Sequence, residues 1–558
     1  MDNKTIARAF KLCGQLMELH NENPFRTKAM SSASFKIDKL PFPAANASLE
    51  ELSAQQGIGK STAEKIFQII NTGSFPELDK LISQTPEGIL EMLKIKGLGP
   101  KKIQVIWKTL EIETVGELYY ACNENRLIEA KGFGFKTQEE IKKAIEFTMD
   151  NQGWYLFAKA ENSAFALLDK LSSAFPQYRF SFAGAFRRKC EILQKVDILT
   201  EAPHTEVKDF ISQLNIDFAE DPQNQTLAFT DENSCPFVVH FTSNESFAKD
   251  LLLTTGNEKH IEQLKNITPE IPEAATEEEI YHKMGLQYIE PELREGFDEL
   301  EKAQKNTLPN LITFEDLKGT LHNHSTYSDG VHSLSEMARY CKEELGLSYL
   351  GICDHSKTAV YANGLTVDRL EEQWAEIDEL NAMLAPFKIF KGIESDILSD
   401  GSLDYPDEIL AKFDFVVASV HSNLKMDQEK ATQRLIKAIE NPYTTILGHP
   451  TGRLLLSRAG YPLDFKKIID ACAANQVVIE INANPLRLDL DWRWHRYALE
   501  KGVLLSINPD AHRTEGLLDM HYGVYVGRKG GLTPSTCLNA FSLEQITTYF
   551  QQRKTHIQ

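Results

Sequence analysis

Between residues 320 and 512, seven short apolar segments each end in side chains with metal-binding atoms. The segments at 320–324, 350–355, 390–396 and 415–421 finish on His322 and His324, on Asp354 and His355, on Glu394 and Asp396, and on His421. Those at 445–449, 478–484 and 505–512 finish on His449, on Asn482 and Asn484, and on Asp510 and His512. Imidazole nitrogens mixed with carboxylate oxygens suit Zn2+ or Mn2+, and ligand type does not separate the two. In His322-x-His324 the two imidazoles share one face of an extended strand and can reach one ion. A carboxylate between two cations holds them close enough to share a bound water, whose pKa they lower toward neutrality. The chemistry of such a site is attack of that water on phosphorus, with the cations offsetting charge on the phosphoryl oxygens.

These side chains are far apart in sequence, so the fold must bring them together. Apolar runs of about four to eight residues separated by helical stretches predict parallel strands in α/β units. When such strands close into a barrel, the loops after their C-terminal ends converge on one mouth. The pattern therefore predicts one multinuclear cleft.

The chain has 558 residues, long enough for three or four domains. No run of eighteen apolar residues occurs, so no membrane span is expected. The opening segment reads as an amphipathic helix rather than a signal peptide. Eight dispersed cysteines without a CxxC pair suit reduced core thiols, and a cytoplasmic monomer is the expectation. A net charge of −20 argues against nucleic acid as a partner. Residues 1–150, however, carry 20 Lys and Arg against 20 Asp and Glu, so the negative excess lies entirely beyond them.

Those first 150 residues are helical in pattern and contain three Gly-apolar-Gly turns. Gly57 and Gly59 precede Lys60 and Lys65, Gly97 and Gly99 precede Lys101 and Lys102, and the third turn is Gly132–Gly134. This is a helix-hairpin-helix signature. The glycines permit a tight turn, and the next helix offers free N–H groups to a backbone phosphate without reading bases. Residues 151–310 turn to mixed α/β, with strands expected at 178–183, 195–200, 226–230 and 237–241 and a turn at 231–233.

The segment 184–199 resembles the nucleotidyltransferase motif of family X DNA polymerases. There, three carboxylates hold two Mg2+ ions. Matched position by position, this chain keeps Gly184, Arg187, Arg188, Glu191 and the second acid, Asp197. The first acid falls at Lys195, the triphosphate-binding serine at Ala185, and the third acid at Val238. The resemblance thus implies a polymerase fold with a degenerate polymerase site. Residues 246–257 and 280–296 resemble later parts of the same core. Residues 23–33 resemble the family's first domain, and Lys65 matches its Schiff-base lysine, although a phosphate contact is the commoner role for such a lysine.

Residues 316–330 resemble the opening of a PHP (polymerase and histidinol phosphatase) domain, and the match continues through the other strand ends. With the polymerase-like half it covers essentially the whole chain, in the order of the bacterial PolX proteins. The resemblance implies three metals. One would take His322, His324, Glu394 and Asp510. Glu394 would bridge to a second, completed by His421 and His449. The third would take Asp329, His355 and His512. Glu394, His322 and His324 would form the catalytic core, Asp354 and Asn484 would orient ligands, and Arg453 and Arg487 are candidates to grip a phosphate. His332, His495 and His521 have no such support and read as surface or packing residues.

The expected fold is a multidomain α and α/β chain. It comprises a helical DNA-binding domain at 1–80, a fingers-like helix-hairpin-helix region at 81–150, a nucleotidyltransferase-like palm and thumb at 151–313, and a distorted (βα)7 PHP barrel at 314–558. The expected function is a 3′–5′ DNA exonuclease with two or three divalent metals (Zn2+ or Mn2+), acting on gapped or 3′-ended DNA in repair. Its rivals are a bifunctional polymerase and exonuclease, a phosphatase for small molecules such as histidinol phosphate, and a non-enzymatic DNA scaffold.

Overall fold

A computed structural model describes residues 1–555 apart from positions 96, 129, 131, 150–152, 215, 222 and 224. The chain divides into two compact units, Met1–Met149 and Asp150–Gln558. No helix among the described residues is long and apolar enough to cross a membrane.

The first unit is helical. Its core includes Ile6, Phe10, Ile66, Phe75, Ile103, Leu118 and Ile141, drawn from helices along its whole length. The three glycine turns share one backbone device. Gly57, Gly97 and Gly132 have φ of +84°, +93° and +93°, which side chains other than glycine rarely adopt. The second glycine then caps a helix in extended conformation, Gly59 for Lys60–Thr72 and Gly99 for Pro100–Lys108, with no side chain bonded to the first turn. Gly134 lies just ahead of the helix Phe135–Met149.

Among the described residues the second unit contains two larger sheets, beside a two-stranded pairing of Tyr155–Leu156 with Ile192–Leu193. The smaller has five strands in the order 180–183, 196–200, 236–241, 226–230, 218–221, with one parallel pair, Val196–Thr200 beside Pro236–Phe241. Four of these strands and the Asp231 turn match the sequence expectation. The edge strand Phe218–Asp221 was not foreseen. Its sequence, Phe-Ala-Glu-Asp, is half polar with no buried residue, and lacks the apolar alternation that marks a strand.

The larger sheet has seven parallel strands, in reverse chain order from 505–508 to 319–320. Its two edges are joined by a single parallel bridge, Asn323 to Ala511, so the barrel is nearly closed. His324 donates its backbone N–H to Ala511 (2.8 Å), and Asp510 donates to His322 (3.0 Å).

Strand alternation sorts the side chains. One parity packs outward with the helices, as in Leu350, Ile352, Val416, Ala418, Ile479 and Ile481. The other parity fills the axis, with Tyr349, Phe390, Phe415, Val417, Ile446 and Val478. Continued toward the C-terminal ends, this inner parity reaches Glu394, Glu480 and Asn482. Phe415 sits between two glycines, since a Cβ at Gly392 or Gly351 would stand 2.5 or 2.6 Å from its ring. Phe550, from the C-terminal helix Leu543–Thr555, stacks on Phe415 with centroids 5.1 Å apart and meets Phe390 at 5.2 Å. Phe415→Ala should cost about 3–5 kcal/mol of barrel stability, because Gly351 and Gly392 have no side chain to fill the gap. Urea unfolding followed by the fluorescence of the barrel tryptophans checks this, and an unchanged midpoint contradicts the packing described.

Candidate metal centre

Glu394 lies two residues before the end of the longest barrel strand, Lys388–Asp396, and is 1% exposed. Its Oε1 lies 3.3 Å from His322 Nε2, 3.1 Å from His421 Nε2 and 3.0 Å from His449 Nε2. Its Oε2 lies 3.7 Å from His324 Nε2 and 3.0 Å from His355 Nδ1. Asp510 Oδ1 is 3.0 Å from His324 Nε2 and 3.5 Å from His322 Nε2. Asp329 reaches His512 Nε2 at 3.4 Å and His355 Nε2 at 3.6 Å. All nine side chains expected from sequence thus stand around one mouth.

Two of them stand with more than one of the expected groups. His324 stands with both neighbouring groups, since its Nδ1 lies 3.8 Å from Asp329, and His355 also faces Glu394 and His421. Within the second unit, three sets among the described residues bring donor atoms close enough to hold an ion: His322, His324 and Asp510; His355, Glu394 and His421; and His324, Asp329, His355 and His512.

The donor atoms fit divalent cations. His322 Nε2, His324 Nδ1, Asp329 Oδ2 and Glu394 Oε2 are buried and make no hydrogen bond. Buried polar atoms are normally satisfied, so a cluster of such atoms is what a cation site presents. Burial alone would raise the Glu394 carboxyl, but His421, His322 and His355 hold it well below the usual carboxylate range. Asp510, beside His322 and His324, and Asp329, beside His512 and His355, are held low against burial in the same way. Glu394 and Asp396 outweigh burial at His421 and raise it to about 9.

A surrounding layer orients these groups, and its main member was missed in the sequence. Glu480, fully buried, accepts from His322 Nδ1 at 2.7 Å and from the His449 backbone N–H at 3.0 Å. It also accepts from Asn508 and Asn482, each at 3.0 Å, and Asn482 donates to Asp510 at 3.1 Å. The signal was a glutamate on the inner parity of a buried strand. Asp396 accepts from His421 Nδ1 at 2.5 Å. Asp354 anchors the loop that carries Asp329, accepting from the backbone N–H groups of Ser325 and Ser328 and from Gln373. Asn484 closes its own turn, accepting from the Leu486 N–H.

The two arginine candidates separate. Arg453 is committed to the protein, donating to the carbonyls of Arg487 and Leu488 and to Asp491. It therefore does not serve as the expected phosphate grip. Arg487 is buried with Nε 4.0 Å from Asp510. His495 is a packing residue, bonded to the Leu490 carbonyl, His332 accepts from the Thr514 N–H, and His521 pairs with Glu161.

In the five-stranded sheet, Asp197 Oδ1 is 2.9 Å from Lys195 Nζ and 2.7 Å from His240 Nε2. Val238 lies directly beside Asp197 in the parallel register. Burial would raise the Asp197 carboxyl, and His240 and Lys195 bring it below its ordinary value. In the first unit, Lys60 and Lys101 are exposed on the first turns of their helices, while Lys102 points back to the Gly97 carbonyl at 3.4 Å. Lys65 is held by Glu77 at 2.6 Å.

Comparison with known proteins agrees with this layout. Residues 1–75 match a helix-hairpin-helix domain, 89–146 a SAM-like helix-hairpin-helix tandem, and 320–484 the PHP domain. The chain is 34% identical to the DNA polymerase/3'-5' exonuclease PolX of Bacillus subtilis (strain 168), over 99% of this chain and all of the relative. The chain belongs to the PolX family. Probable phosphatases of Thermoanaerobacter sp. (strain X514) and of Thermoanaerobacter pseudethanolicus are each 28% identical, over 42% of this PolX chain and 95% of their own.

Because both oxygens of Glu480 accept from donors in this PolX barrel, a glutamine there would oppose an N–H2 to at least one N–H. Glu480→Gln should weaken metal retention roughly 10- to 100-fold. Metal content after graded chelator dialysis checks this, and retention equal to the parent protein contradicts the role assigned to Glu480.

Proposed function

We propose that this PolX-family protein is a metal-dependent phosphodiesterase that trims DNA from 3′ ends, and that its polymerase-like core holds DNA without extending it. The observation that carries this reading is a contrast. Glu394 and eight other side chains with metal-binding atoms meet at one mouth, whereas Asp197 has a lysine and a histidine for partners and a valine alongside. In this reading the ligands are His322, His324, Glu394 and Asp510, then Glu394, His421 and His449, then Asp329, His355 and His512. The chain serves as four parts with boundaries near 80, 150 and 313, in a cytoplasmic setting.

Two or three bound Zn2+ or Mn2+ ions supply an activated water and positive charge for the phosphoryl oxygens. The protein's residues do the rest. Glu394 holds the groups together through both oxygens. Glu480 and Asp396 fix the imidazoles of His322 and His421 so that their Nε2 atoms face it. Arg487, a fixed planar donor beside Asp510, suits a non-bridging phosphate oxygen. Gly57, Gly59, Gly97 and Gly99 present helix N–H groups to the DNA backbone, with Lys60, Lys101 and Lys102 nearby. Lys65, held by Glu77, acts as a phosphate contact rather than a Schiff-base nucleophile.

His322→Ala with Glu394→Ala should lower 3′-end trimming of an oligonucleotide by at least about a thousandfold, since several kcal/mol of charge stabilisation go with the cations. Chelation should silence the parent protein, and Mn2+ or Zn2+ should restore it. Trimming that survives the double substitution places the nuclease elsewhere. A histidinol phosphate panel run in parallel should show far slower turnover than the oligonucleotide, and the reverse order favours a small-molecule phosphatase.

At a one-nucleotide gap, labelled dNTP should not be incorporated, because Lys195 cannot replace a metal-binding carboxylate. Incorporation that disappears on Asp197→Ala restores the polymerase reading.

A further inference from the structure

The loop 485–494 leaves the C-terminal end of the strand Val478–Asn482 at the metal mouth and crosses to the polymerase-like palm. At its start, Arg487 places Nε 4.0 Å from Asp510. At its end, Trp492 is 3% exposed and donates its indole N–H to Glu191 of the palm at 3.3 Å. Arg493 donates to the other oxygen of Glu191 at 3.2 Å and lies over the Trp492 ring, 4.5 Å from its centroid. Phe297 meets Trp492 edge-on at 5.6 Å, and the Lys529 ammonium lies 4.8 Å from the ring centroid.

Between these ends the loop is held by charge. Arg493 donates to Asp491 at 3.0 Å, and Asp491 accepts from Arg453 at 2.7 Å. Arg453 in turn donates Nε–H to the Arg487 carbonyl at 2.9 Å. Leu488 is in the left-handed region with φ +44°, which an unbraced leucine avoids. With Pro485 it lines a narrow cleft against Phe157, Lys189 and Glu191 of the palm. A continuous set of contacts thus runs from a palm carboxylate to the backbone that presents Arg487.

We propose that Glu191 is a positioning residue for the phosphoesterase: through Arg493, Trp492 and Asp491 the palm sets the loop that holds Arg487 at the metal mouth. The degenerate palm is then a working part of the hydrolytic site as well as a DNA-holding module. Glu191 is 7% exposed and its two oxygens are taken by Trp492 and Arg493, so it acts through the loop and not on the substrate. This rests on the phosphodiesterase reading and on Arg487 meeting a phosphate.

The test compares full-length parent protein with Glu191→Ala, Glu191→Gln, Arg487→Ala and the double variant Glu191→Ala/Arg487→Ala. Glu191→Ala and Arg487→Ala should each lower kcat/KM for oligonucleotide trimming roughly 10- to 100-fold, because a misplaced contact near the reacting centre has effects of that size. The double variant should be no worse than Arg487→Ala, since both changes remove one contact. Glu191→Gln, which still accepts from Trp492, should keep part of the activity. Metal content should stay at the parent level in all four, which separates a moved loop from a damaged metal cluster. Glu201→Gln, at a palm ion pair with Arg179, should trim like the parent.

Parent-like trimming by Glu191→Ala, or losses that multiply in the double variant, overturns the proposal. Should Glu191→Ala fold poorly, Arg493→Gln breaks the same contact from a side chain that is 53% exposed. Hydrogen exchange over 485–494 supplies a readout independent of catalysis. Protection there should fall in Glu191→Ala while the barrel strands keep theirs, and unchanged protection overturns the proposal. If the parent protein trims no DNA, the phosphodiesterase reading fails and the exchange result still decides whether the palm sets the loop.

Discussion

Burying the Glu394 carboxylate is the constraint from which the rest of the second unit follows. An ionised carboxylate removed from water is tolerated only where opposite charge and hydrogen-bond donors surround it. Here five histidines supply that surrounding, from strand ends between residues 322 and 449. A partner at the outer nitrogen keeps an inward-facing imidazole aimed, and Glu480 behind His322 and Asp396 behind His421 provide it. Those carboxylates are buried in turn and take their own donors, which brings in Asn482 and Asn508. A nearly closed ring of parallel strands is an architecture in which so many backbone segments end together.

The same strands must also pack a core, and alternation lets them do both. Along the inner parity the chain changes character from Phe390 through Gly392 to Glu394, and from Val478 to Glu480 and Asn482. Aromatic filling at one end of the axis makes a dry floor, and the ionisable groups stand above it. The floor is specific in shape, since Phe415 occupies space that Gly351 and Gly392 leave open and Phe550 covers it from the last helix. Rigidity below is what keeps the ligand atoms above at fixed separations.

Much of this was legible in the sequence, for identifiable reasons. His and Asp at the ends of apolar runs stand out because residue type and position both speak for a metal. The glycine turns were readable because only glycine tolerates the φ found at Gly57, Gly97 and Gly132. Glu480 was not seen, because an acid inside a buried strand looks like an exception until the strand's inner face is known. Arg453 and Arg487 have the same side chain, and each follows a barrel strand by a few residues. Only the course of the loop 485–494 shows that one clamps the backbone and the other reaches the mouth. The grouping of His324 and His355 depends on which ring nitrogen faces which carboxylate, and spacing does not carry that information. The edge strand Phe218–Asp221 is held by pairing along one side alone, so its sequence needs no apolar alternation.

In the five-stranded sheet the charge of Asp197 is balanced by neighbouring side chains. Two cations near a single Asp197 would lack compensating charge, whereas one lysine and one histidine match it and share its oxygen. The sheet itself is kept, because the segment 184–191 has other obligations. Arg187 and Arg294 converge on Glu277, and Arg188 and Lys529 converge on Glu295, all of them largely buried. Removing one partner from such a pair leaves an uncompensated buried charge, at a cost of about 3–5 kcal/mol. Lys529 belongs to the barrel and Glu295 to the segment before it, so the ion pairs of Arg188 and Lys529 with Glu295 fasten the palm to the barrel. A palm fixed in this way presents Glu191 to the loop 485–494 at a constant place, which is the mechanical condition for it to act on the metal mouth at all.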